Sequence, residues 1–483
     1  MRSPSLTAGT LLLLIPAALV GAWGLGWLVG LPIAAVALWL AWRWLRTAEQ
    51  SLGDAPGSAR GTLVWPLLLV LALIQLSRVG VFVVDPERRT LAALPNAEEW
   101  AVYHTCFTGY TEAARLAFGR GVNIYDSKNY EDDKGHARRI GLLHVDEYEY
   151  PPPFLPLPAL LSAVTGHDVL RARAVFFGLQ VFALTLVIIG TARRLAPLEA
   201  AFAWRLMPGV LAAFQTVVGL QYGNFQAGAF AIAVAGMLGV TAGRVATGAP
   251  LLAFAAAAKL FPGLLLPLLV ATRRWRAVVV LIAWMLAFAV LSYLMFGSRP
   301  YVDFVNYQLP AISSGSGFAW STLPFLVPTN YGVSAIVLKL SALGLPVGSL
   351  DAGMRLASIY GLVLVALVVL RAVRAWRGDA RWHEAADSPL LWLAILNLAS
   401  FRSPYVADAQ ATMGTLWLAA LVVAAHDWRG WRLATLATFC ALWAITFEGL
   451  APQEHSTPLL LLTLALQVAG IAFNGWVLVR APR

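Results

Sequence analysis

The chain has 483 residues, 59% of them hydrophobic and 12% charged, with a mean hydropathy of +0.71 and a net charge of +10. Its apolar runs repeatedly exceed the roughly 20 residues that a helix needs to cross a bilayer, which excludes an ordinary soluble domain. The bases cluster in short loops between those runs, so the charge reads as a topology signal and no nucleic-acid partner is expected.

No alternating barrel pattern is present, and a backbone in hydrocarbon must satisfy its own polar groups, so the spans are expected to be helices. Residues 1–23 carry Arg2 ahead of a leucine-rich run and have the form of a signal peptide. A second apolar run follows at once, which favours two spans near 8–23 and 26–44. Arg43, Arg46 and Arg60 then mark a cytoplasmic loop before a span at 62–84. Residues 85–150 are the one long polar segment, with 12 Asp and Glu against 8 Lys and Arg, leaving 13 acids against 27 bases elsewhere.

Within that segment Glu98-Glu99-Trp100-Ala101-Val102-Tyr103-His104 precedes Thr111 to Asp126, whose apolar residues fall at helical spacing and end at a glycine pair. A short amphipathic helix at the membrane interface is expected there. Paired carboxylates beside a bilayer suit a general base, because partial burial lifts a Glu pKa towards neutrality; a solvated helix start is the plainer reading of Glu98 and Glu99. Asp132-Asp133, Asp146, Glu147 and Glu149 are hard oxygen donors without the spacing of a binding loop, and His104, His136 and His144 lack zinc-like spacing. Cys106 lies in the loop and Cys440 in a span, which encodes neither a disulfide framework nor a cysteine metal site. No metal and no cofactor is therefore expected, and no phosphate-cradling glycine loop is present.

Further spans are expected near 154–166, 172–192, 206–220, 224–242, 248–271, 277–297, 354–372, 388–401, 411–426, 432–448 and 457–479, with a shorter re-entrant piece at 331–343. Gln221-Tyr222-Gly223-Asn224 interrupts an apolar stretch with two amides, suited to a polar ligand or to a satisfied loop. Lys259 falls mid-span, where a lysine costs roughly 2.5–3.5 kcal/mol and usually pairs with an anion or lines a cavity. Pro262 favours a kink beside it. At two span ends, Asn330 follows a flexible serine-glycine loop, and Arg402 and Asp408 flank Ser403-Pro404, Arg402 as a planar fork for a phosphate. Arg273, Arg274 and Arg276, then Arg371, Arg374, Arg377 and Arg381, then Arg429 and Arg432, and finally Arg480 and Arg483 mark the cytoplasmic side. Residues 85–150, 298–330, 402–410 and 449–456 then fall outside. Arg193, Arg194 and Arg205 come out on the wrong side if every run from 154 to 242 crosses. Either 154–166 or 206–220 must then stop short, and 11–14 spans are expected.

In this order the pieces resemble glycosyltransferase family 87, integral-membrane enzymes of the GT-C superfamily that use polyprenyl-phosphate sugars. The resemblance rests on Glu99-Trp100-Ala101-Val102-Tyr103, Gly121-Val122-Asn123-Ile124-Tyr125, Tyr150-Pro151-Pro152, Gln221-Tyr222-Gly223-Asn224, Ala258-Lys259-Leu260-Phe261-Pro262, Asn330-Tyr331-Gly332 and Ser403-Pro404. It covers roughly 62–430, which makes 1–61 a two-span addition, 62–430 a catalytic core containing the outer loop 85–150, and 431–483 two closing spans. Glu99 stands where the family usually has Asp, and Val406, Asp408 and Gln410 stand where it tends to Trp and His.

The resemblance implies an all-α, polytopic transmembrane bundle in the cell membrane with an extracytoplasmic active site. It implies transfer, with inversion, of mannose first and arabinofuranose second from a polyprenyl-phosphate sugar to a lipid or glycan acceptor. Glu99 would be the base, with Glu98, Glu112 and Asp126 as alternatives. Lys259 and Arg402 would hold the donor phosphate, and Tyr103, His104, Tyr150, Gln221, Asn224, Asn330 and Asp408 would contact substrate. The competing class is a polytopic transporter or lipid-linked sugar flippase; such proteins commonly show two related halves, and no internal repeat is evident here.

Overall fold

The structure, a computed structural model, describes residues 10, 12–16, 18–52, 64–119, 121–426, 430–445 and 456–480. Arg60, Arg429, Arg483, most of the expected outer segment 449–456 and the Asp408 side chain lie outside the described part. Within it the backbone is almost wholly helical; the one sheet is a hairpin pairing Arg139–Ile140 with Leu143–His144. The expected all-α polytopic bundle is what forms, and the chain is a multi-pass membrane protein.

Five helices are long and apolar enough to cross a bilayer: Trp65–Val84, Val169–Ala192, Trp275–Phe296, Leu350–Trp376 and Thr457–Val479. A bent pair, Glu199–Ala212 with Phe214–Tyr222, is apolar enough to make a sixth when counted as one span and is turned by 56° where Ala213 takes an extended ψ of 130°. The expected crossing at 26–44 lies in the 26-residue helix Trp27–Leu52, whereas the remaining expected crossings after residue 150 are apolar helices of 10–17 residues. At 1.5 Å per residue none of these shorter helices exceeds about 26 Å, short of a hydrocarbon core of about 30 Å. The expected re-entrant piece at 331–343 is the short helix Ser334–Ala342. One apolar cluster runs from Leu12 to Leu478, so the first and last helices share their packing with the middle of the chain.

The expected single span over 248–271 is broken. Gln226–Thr241 and Val245–Lys259 form a helical hairpin whose backbones approach closely, because a Cβ on Gly248 would stand 2.6 Å from the Gly236 carbonyl oxygen. Side chains at those positions would force the two helices apart. The chain then turns at Leu260, whose φ is +21°, a strain of order 1–3 kcal/mol. A 3-10 turn over Phe261–Leu265 and the helix Leu266–Ala271 return it to the basic loop. Lys259 is thereby left at the tip of its helix.

The conflict over Arg193 and Arg194 also resolves. Pro156–Val164 has nine residues, about 14 Å of helix, and does not cross. Val169–Ala192 therefore leads back to the basic end of the bundle, where Arg194 is close enough to Asp387 and Arg274 to feel both charges. Arg274 clamps Asp387 there through two hydrogen bonds of 2.6 Å. At the opposite end Arg173 donates to the Gln221 carbonyl at 3.0 Å and the Val83 carbonyl at 3.4 Å, tying three helix ends together.

Candidate functional site

The outer loop packs against the end of the bundle. Its main helix, Cys106–Phe118, begins five residues before the expected start and buries Phe107, Tyr110, Ala113, Ala114 and Ala117. Gly109 lets an extended segment lie across that helix, since a Cβ there would meet the Asp146 carbonyl oxygen at 2.5 Å. Thr108 clamps the same segment: its hydroxyl donates to the His144 carbonyl at 2.8 Å and accepts from the Asp146 amide at 3.2 Å. A small residue and a hydroxyl thus bring residues 144–150 over the membrane end of the fold.

Under this segment lies a cavity of ≈ 1090 Å³. Its walls come from the outer loop, from the helix break at Asn224, from the tip at Lys259, and from parts of residues 304–326 and 399–410. Three of the segments expected on the far side of the membrane, 85–150, 298–330 and 402–410, thus converge on one space, at the end opposite the Arg274–Asp387 clamp. The floor is a chain of polar contacts. Tyr110 donates to the Tyr150 hydroxyl at 2.9 Å, and the Lys259 amine donates to that hydroxyl at 3.1 Å and to Asn224 Oδ1 at 3.4 Å. The ammonium lies 4.9 Å from the Tyr150 ring centre. Neutral oxygens therefore hold this cation, and among the described residues no carboxylate stands within ion-pair distance of it.

Four acids also line the space: Glu131, Asp146, Glu147 and Glu149. Burial, reinforced by neighbouring Asp146 and Glu147, pushes Glu149 up to about 8. Removing water disfavours the carboxylate, and so does a second carboxylate nearby. His104 stacks on Trp100 at 4.4 Å, and burial lowers its pKa against the opposing pull of Asp146.

Of the residues that the family resemblance assigns to the site, His104, Tyr150, Asn224, Lys259 and Arg402 meet on the cavity. The Arg402 stem lies over Gly361, where a Cβ would come within 3.1 Å of it. The others lie elsewhere. Glu99 is exposed and pairs with Arg139 at 2.7 Å, and Glu98 is exposed at the start of the same helix. Glu112 is buried between Arg115 and Arg138, and Asp126 caps a 3-10 turn by accepting from the Lys128 amide. Tyr103 packs on Phe82. Gln221 accepts from the Ala93 amide and donates to the Val102 carbonyl, which pins the loop. Asn330 is fully buried, bonding Gly332, Pro404 and Val406, and so joins two loops.

Glu149 was visible in the sequence only as a hard oxygen donor. Its signal was position, one residue before Tyr150-Pro151-Pro152. Against the expectation of no metal site, His104, Cys106 and Asp146 place one ligand atom each within 4.8 Å of one another. Loop spacing hides this set because Asp146 arrives across the Gly109 contact. Residues 148–404 match the family model of glycosyltransferase family 87. No curated protein and no solved structure shows a significant match.

Proposed function

Since the match spans more than half of its length, the chain belongs to glycosyltransferase family 87 and is a membrane glycosyltransferase; we propose that it moves a sugar from a polyprenyl-phosphate donor to a lipid or glycan acceptor on the extracytoplasmic face, with inversion. The observation that carries this reading is Lys259: an ammonium on the cavity floor, held by two neutral oxygens and facing space for an anion. An ammonium in hydrocarbon is costly, and a ligand phosphate offsets that cost. The apolar wall suits a lipid tail, because Leu260 and Leu362 line the cavity while 57% and 72% exposed on the bundle's outer face.

In this mechanism Lys259 and Arg402 hold the phosphate from two walls. Glu149 is the general base, being the cavity acid whose charge Lys259 feels and whose pKa sits near neutrality. Its carboxylate takes the acceptor hydroxyl proton as that oxygen bonds to the anomeric carbon. The bond from that carbon to the phosphate oxygen breaks on the opposite face, and the electron pair leaves with polyprenyl phosphate. Mannose is the first sugar to test and arabinofuranose the second.

The deciding assay follows release of polyprenyl phosphate from each polyprenyl-phosphate sugar by the purified protein. Release from one of them, weakened in Lys259→Met through a higher donor KM, supports the reading; release from neither overturns the donor assignment. For topology, a reporter fused after Asp133 should read as extracytoplasmic and one after Arg377 as cytoplasmic. Finding both on one side would sink the threading.

A further inference from the structure

We propose that His104, Cys106 and Asp146 form a binding site for a divalent transition-metal cation of the zinc class, with its open position facing the cavity. His104 Nε2 stands 3.7 Å from Cys106 Sγ and 3.7 Å from Asp146 Oδ2, and all three ligand atoms fall within 4.8 Å of one another. A tetrahedral zinc, with Zn–S of about 2.3 Å and Zn–N or Zn–O of about 2.1 Å, sets its ligand atoms about 3.4–3.6 Å apart. The two measured separations therefore need to close by only a few tenths of an ångström.

The contacts exclude the other familiar use of this trio. A nucleophile relay needs the thiol and the carboxylate on opposite ring nitrogens of the imidazole. Here both approach Nε2, so the donors converge on a point and do not line up in a relay. Sulfur, imidazole nitrogen and carboxylate oxygen make a mixed set that suits zinc, and three protein ligands leave a fourth position open. All three residues line the cavity, so that position is reached from the ligand space. Cys106 is the first residue of the helix Cys106–Phe118, at the end nearest the other two donors. Asn224 Nδ2 donates to Cys106 Sγ at 3.5 Å, the orienting contact that outer-shell groups supply to metal ligands.

His144 is an independent observation at the same place. It is 8% exposed and lines the cavity, yet neither ring nitrogen has a hydrogen-bond partner. Two residues from Asp146 in an extended segment, it shares that residue's face. An imidazole buried without partners is unfavourable, and a polar ligand bound at this place relieves it. Because Asn224 also meets Lys259, the cation stands beside the proposed phosphate subsite and adds positive charge to it.

The test uses the purified full chain, stripped with chelator and titrated with cobalt(II) alone. The expected result is one cobalt per chain, with four-coordinate visible bands and a thiolate-to-cobalt charge-transfer band, all displaced by zinc. Cys106→Ser should abolish the charge-transfer band and Cys440→Ser should leave it intact, while His104→Ala and Asp146→Asn should weaken binding by about 100-fold or more. Zinc should also slow alkylation of Cys106, and not of Cys440, in the unmutated protein, which decides the matter if a variant fails to fold. No stoichiometric cobalt, a charge-transfer band that survives Cys106→Ser, or alkylation of Cys106 indifferent to zinc would each overturn the site.

Discussion

The two ends of the bundle treat charge in opposite ways. At the basic end Arg274 and Asp387 meet through paired 2.6 Å bonds, so each charge is cancelled within the chain. At the cavity end Lys259 rests on a phenol and an amide, and Glu149 is pushed up to about 8 by burial beside other acids. Charges that cancel hold helices together, whereas charges left unbalanced beside a cavity are available to a ligand. The same residue types thus serve structure in one place and chemistry in the other, according to whether a partner is built in.

The largest effect should come from Glu149→Gln. Loss of a general base lowers turnover by roughly 10²–10⁴ with donor KM nearly unchanged. The unmutated rate should rise with pH through about 8 as Glu149 releases its proton, and the variant should lose that limb. Stability should move the other way. Folded Glu149 keeps its proton up to about 8 whereas the unfolded group releases it near 4.5, so this residue's contribution falls as pH rises across that window. Thermal unfolding against pH, compared between the two proteins, checks the sign.

Next comes Lys259→Met, which should raise donor KM by about 10- to 100-fold, the worth of a charge-assisted contact. Its unfolding temperature should change little, since no built-in carboxylate is left unpaired. Arg274→Ala should do the reverse, costing about 1 kcal/mol of stability for a part-exposed pair while leaving donor KM alone. A KM shift in that variant, read in the donor-release assay, would erase the contrast between the ends. Glu99→Gln should have the smallest effect, with turnover within about twofold, because its partner Arg139 lies at the surface. An inactive Glu99→Gln protein would return the base to the position suggested by family resemblance and remove Glu149 from the mechanism.

Much of the architecture could be read before the chain was folded. Apolar run length is local information, and a backbone in hydrocarbon has few ways to satisfy itself, so a helical membrane bundle followed. The break at Gln221 to Asn224, the isolated lysine Lys259 and the cavity arginine Arg402 were legible for a related reason, although Lys259 was expected mid-span and stands at a helix tip: polar groups inside apolar runs are expensive and are kept where a cavity or ligand meets them. The identity of the cavity acids was not legible. Glu99 and Glu149 look alike along the chain, and only the path of the outer loop sends one to solvent and the other beside Lys259. That path depends on Gly109 admitting the Asp146 backbone, on Thr108 clamping it, and on Gln221 pinning the loop from below. The same crossing brings Asp146 to His104 and Cys106, forty residues away in sequence and 3.7 Å from the imidazole in space. Such convergence arises from close packing between distant segments, and residue spacing along one segment carries no record of it.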